Sequence, residues 1–122
     1  MLNGVLIGES LRVGSMLDSV PLQVTKVRRI AVDSPGAEQP GQWTLLDFQA
    51  PEREAARLAD ALAGCLLPHG GWYANFGTPA EAFVVFAGRV FRYARGDTAA
   101  RGEVEAYARS VGVPEPQLDW ED

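Results

Sequence analysis

The spacing of apolar residues alternates between a helical period near four and a strand period of two, and each stretch predicts an element. From Pro51 to Leu67 the period is helical. Leu58, Leu62, Cys65 and Leu66 form one face with Ala55 and Ala59, and Arg53, Arg57, Asp60 and Gly64 take the other. Pro51, the neighbouring Glu52 and Glu54, and Pro68 just beyond mark its limits. A second helix is predicted over Thr98 to Val111, with Asp97 as N-cap and Gly112 and Pro114 as stop signals. Its buried stripe is Ala100, Val104, Tyr107, Ala108 and Val111, and Glu105 and Arg109 form an i,i+4 pair in the favourable order.

Period-two alternation predicts the strands. Trp43 to Phe48 sets Thr44, Leu46 and Phe48 against Trp43, Leu45 and Asp47. Trp72 to Phe76 follows a Gly70-Gly71 turn and sets Trp72, Ala74 and Phe76 on one face. Glu81 to Arg95 reads as a hairpin turning at Gly88-Arg89, which pairs Phe86 with Phe91 and Val84 with Tyr93. The strand Phe83 to Ala87 is apolar on both faces, as in a central strand covered on both sides or a sheet meeting a second copy. Leu22 to Val32 is strand-like with a slip near Val27, the mark of a bulge. Val5 to Ile7 is a first strand, residues 11–20 have no clear period, and Ser34 to Gly41 is a loop.

Strands and hairpins interrupted by two helices imply an α+β fold, with an antiparallel sheet of about five to six strands. The order strand, helix, strand, strand, helix is that of a ferredoxin-like split motif, whose two helices share one face of the sheet. The closing strand of that motif is missing after the second helix, and an early strand is the candidate for its place. At 122 residues, 47% hydrophobic and 22% charged, the chain is expected to form one domain over its whole length. No apolar run suggests a membrane span, and the first residues lack the basic start of a signal peptide.

Charge alters this picture only at one end. The formal net charge is −5, yet residues 1–114 hold eleven basic and twelve acidic side chains. The remaining excess is an acidic tail, residues 115–122, with Glu115, Asp119, Glu121 and Asp122. Such a body has no electrostatic footprint for nucleic acid or anionic lipid, and the plain role of the tail is solubility. Within the tail, Leu118 and Trp120 stand two apart in an extended segment. They share a side and predict a docked anchor or, alternatively, a linear motif for a partner.

Candidate chemistry is sparse. His69 is the sole histidine and Cys65 the sole cysteine, so neither a Cys/His zinc site nor a disulfide within the chain is expected, and no cofactor is implied. An imidazole suits proton transfer near neutral pH, but no nucleophilic constellation assembles around it; an exposed loop histidine is the plain alternative. Asp47 and Arg92 interrupt apolar strand faces; the first reading is a solvated face, and if the two faces coincide the residues form a structural pair or mark a pocket. Trp43, Trp72, Tyr73 and Phe83 belong to an aromatic set that reads first as core and second as a ligand pocket or partner face.

The runs from Gly71 to Phe76, Phe83 to Asp97 and Val111 to Trp120 resemble an uncharacterised family of small proteins from high-GC Gram-positive bacteria. The resemblance spans residues 42–120 and implies a bacterial cytoplasmic protein, with no activity to carry over. Two functions stand as expectations. The first is a non-enzymatic binding or protein-interaction domain, of immunity, antitoxin or accessory type, acting on a protein partner or as a homodimer. The second is a small enzyme or ligand carrier with a pocket between sheet and helices and His69, Asp47 and Arg92 as its polar groups.

Overall fold

A computed structural model describes residues 1–121. It contains strands β1 (Leu2–Ile7), β2 (Gln23–Ala31), β3 (Gln42–Ala50), β4 (Ala74–Gly77), β5 (Glu81–Phe86) and β6 (Arg89–Ala94). Helix α1 (Ala55–Ala63) joins β3 to β4, and α2 (Thr98–Ser110) follows β6. The strands form a single sheet in the order β2-β3-β1-β4-β5-β6, and every neighbouring pair is antiparallel. The fold is α+β. Because β3 and β4 both run antiparallel to β1, they are parallel to each other with β1 between them, and β3-α1-β4 is a split β-α-β unit.

The ferredoxin-like expectation ends there, because the two helices lie on opposite faces. On the near face, Leu58, Ala59 and Leu62 of α1 pack with Leu2, Leu6, Phe48, Phe76, Phe83 and Val85. On the far face, Val104 and Ala108 of α2 pack with Ala82, Val84, Phe86, Tyr93, Val113 and Trp120. Strand β5 is therefore covered twice within one chain. That removes the basis on which a second copy was expected.

Gly4 lets the near-face core close over β1. A Cβ there would stand 2.6 Å from the Phe48 ring and 2.9 Å from Phe76 Cβ. The hairpin register differs from expectation: Phe86 pairs with Arg89 and Val84 with Phe91, so the turn is Ala87-Gly88. Gly88 has φ +71° and supplies the left-handed conformation at the second turn position instead of the first. The shift is an even number of residues, so each side chain keeps its predicted face.

Helix α1 stops at Gly64, short of Leu67. Backbone pairing takes over, with Arg12 N donating to Cys65 O at 2.8 Å and Leu67 N to Ser10 O at 2.9 Å. Cys65 and Leu66 stay buried, as their periodicity implied, but they are held by residues 10–12. At α2 the expected cap is present, with Asp97 Oδ1 accepting from Ala100 N at 3.0 Å. Val111 is exposed, and the expected Glu105–Arg109 pair is replaced by Arg101–Glu105 and Arg109–Glu115. Strand β2 carries its bulge between Val24 and Lys26. Trp72 precedes β4 and packs against Trp43, with ring centroids 5.2 Å apart, outside the Ala74–Phe76 face.

Candidate functional site

Alternation along β1 and β3 sends Leu6, Leu46 and Phe48 into the near-face core and leaves Asn3, Val5, Ile7, Leu45 and Asp47 on the far face. Helix α2 and the chain after it cover the β4–β6 side of that face, and the β2-β3-β1 side is open. Residues 114–121 end at the boundary. They form a wall, and two clefts lie between this wall and the open strands.

The cleft of about 340 Å³ has a floor of Val5, Ile7 and Leu45 and is bounded by Trp43, Trp72 and Tyr73, with Arg28, Gln117 and Asp119 at its rim. The cleft of about 690 Å³ is more polar and is lined by Asn3, Thr25, Asp47, Gly77, Arg95, Asp119 and Glu121. Val5, Asn75 and Asp119 line both, so the two form one groove along β1. Val5 is 38% exposed in mid-strand, and the Asn75 carboxamide makes no hydrogen bond among the described residues.

The wall is held by a network that the sequence did not disclose. Gln39 is buried; its Oε1 accepts from Gly36 N at 2.7 Å and its Nε2 donates to Gly70 O at 2.8 Å. Gln117 Nε2 donates to Gln39 Oε1 at 2.8 Å, and the Tyr73 hydroxyl donates to Gln117 O. Three segments distant in sequence are thus tied at one point. Burial, with the Asp119 carboxylate nearby, pushes the Tyr73 phenol well above its ordinary value.

Trp120 anchors the end of the wall. It is 4% exposed, donates Nε1 to Tyr93 Oη at 2.9 Å, lies edge-on to Tyr73 and sits under Arg101 at 4.5 Å. Leu118 packs on the same far-face cluster and Asp119 is turned toward the groove, as the two-residue spacing implied.

The residues proposed for chemistry are not brought together. Asp47 pairs with Arg28 at 2.7 Å, through the β2–β3 register that sequence alone did not supply. Arg92 is on the near face over Phe83 and is held by Glu81 through two 2.7 Å bonds, with three strands between β6 and β3. The two faces do not coincide, so the condition for an Asp47–Arg92 pair is not met. His69 is exposed in the loop after α1 and lines none of the clefts described. Cys65 is buried. Phe83 is core, stacked on Phe76 at 4.9 Å, and offers no surface to a ligand. Of the aromatic candidates, Trp43, Trp72, Tyr73 and Trp120 do meet at the groove.

Among the described residues there is no group of three or more His, Cys, Asp or Glu able to hold a metal ion, and no helix long and apolar enough to cross a membrane. Comparison with protein-family models, with curated proteins and with solved structures finds no match to this chain.

Proposed function

We propose that this chain is a non-catalytic binding domain and that a protein partner docks in the groove on the open half of the far face. The observation that carries this reading is the aliphatic row of exposed Val5 and half-buried Ile7 and Leu45, set between a polar strand edge and a wall tied down by the Gln39–Gln117 network. A concave apolar floor with a few convergent polar groups is the usual form of a binding site. The ionisable groups around it favour recognition over chemistry. Arg28 and Asp47 hold each other, and His69 and Arg92 lie elsewhere. A bacterial cytoplasmic setting and an immunity-like or accessory role are the versions we favour.

The test is affinity capture from the native host with three baits: the parent chain, Val5→Arg, and Val27→Arg on the exposed outer strand. Val27 is 61% exposed and lines neither cleft, so it controls for added charge. A partner kept by Val27→Arg and lost by Val5→Arg supports the reading. A partner captured equally by all three places the binding surface elsewhere.

A further inference from the structure

We propose that the groove takes an extended, cationic segment of a partner polypeptide, its basic side chains against Asp119 and Glu121 and an apolar side chain in the Trp43 end. The inference rests on the groove reading above and adds the chemistry of the occupant.

Shape is the first argument. The floor runs along one strand through Asn3, Val5 and Ile7. At ~3.3 Å per residue that is about 13 Å, the span of roughly four extended residues. The trough is bounded along its length by Arg28 and Asp47 on one side and by Gln117, Asp119 and Glu121 on the other. An extended chain fills both clefts at once. A compact ligand would occupy only one.

Charge is the second argument. Residues 1–114 carry eleven basic and twelve acidic groups, so nearly all of the net −5 resides in the tail. Within the tail Glu115 is neutralised by Arg109. Asp119 and Glu121 line the larger cleft, and neither is in an ion pair among the described residues. Of the two cations that share the groove, one is neutralised and the other keeps its charge. Arg28 is bound to Asp47, and Arg95 lies against Gly77 and donates Nε to Thr78 O at 2.6 Å. Asp119 and Glu121 thus place two of the five excess negative charges along one wall of the groove, against one charged guanidinium, that of Arg95. Complementary charge there would steer a basic partner and fix its direction in the trough.

The test is selection of a phage-displayed random heptapeptide library on the full chain. Enriched peptides are then titrated into isotope-labelled protein at low salt and at about 0.3 M salt. The expected peptides carry Lys or Arg together with an aliphatic or aromatic residue, shift the Val5, Asn75 and Asp119 resonances, and bind more weakly in salt. The double variant Asp119→Asn, Glu121→Gln should lose about ten-fold in affinity at low salt and show a flatter salt dependence. Both positions are exposed, so its fold should be intact. Neutral or acidic peptides that move the same resonances would overturn the cationic occupant and leave the groove reading standing. Groove resonances that move on raising protein concentration alone would replace the peptide by a second copy. Shifts confined to other surfaces, or no enriched peptide, would overturn both readings.

Discussion

Over β4 to β6 the far face of the sheet presents Ala82, Val84, Phe86 and Tyr93; over β2, β3 and β1 it presents Arg28, Asp47, Asn3, Val5, Ile7 and Leu45. The first half is sealed by Val104, Ala108, Val113 and Trp120. The second has no such cover among the described residues. If the open half merely faced water, its outward positions should be uniformly polar, as on the solvated face of an ordinary antiparallel sheet. Instead Arg28 and Asp47 pair across the strands, and three aliphatic side chains lie between walls. On the far face, apolar surface is packed under α2 over β4 to β6 and kept in a concave strip over β1 and β3.

The largest effect should come from breaking the cover itself. Trp120→Ala removes a buried ring and its bond to Tyr93, and should cost on the order of 2 to 4 kcal/mol, read as a lower urea midpoint. An unshifted midpoint would mean that the tail is no part of the sealed half. Paired truncations sharpen the contrast: Val84→Ala should cost about 2 kcal/mol and Val5→Ala no more than about 0.5 kcal/mol. Equal losses would erase the distinction between the halves. Gln39→Ala should cost about 1 kcal/mol, because Gly36 N and Gly70 O lose their partner together. Faster hydrogen exchange at the Gly36 amide is the local sign to look for.

The smallest effect lies on the near face and serves as a control. Burial pulls the Glu9 carboxyl upward, but the Thr44 N–H and hydroxyl and the Arg29 guanidinium outweigh it and hold Glu9 below its ordinary 4.5. A depressed folded value means that this stabilisation is complete above the ordinary carboxylate range and fades as pH falls through the folded value. Glu9→Gln should therefore lower the neutral-pH midpoint slightly, flatten the acid limb and leave partner capture unchanged. An acid limb as steep as the parent's would show that other carboxylates set it.

What was legible in the chain was whatever local spacing encodes. Asp97, Gly112 and Pro114 mark α2 because capping is a matter of a few neighbouring residues. The faces of β3 and β5 were readable because alternation survives an even shift of register. The end of α1 was not, because Cys65 and Leu66 continue the helical spacing while bonding to residues 10–12, a partner that periodicity cannot reveal. The same limit hid the site. Arg28 meets Asp47 only through strand pairing, and Gln39 meets Gln117 across 78 positions. The tryptophans were visible as residues, but their convergence on one groove depends on β1 lying between β3 and β4, which sequence order does not show. The helices fell on opposite faces for a reason present in the sequence: both sides of β5 are apolar, and each needs its own cover.

The most direct test of the groove as the binding surface is photo-crosslinking in living host cells, with a benzophenone amino acid placed at position 5 or at position 27. A discrete crosslinked partner is expected from position 5 and none from position 27. A partner trapped from position 27 alone, or none from position 5 while the parent chain still captures one, would contradict that expectation.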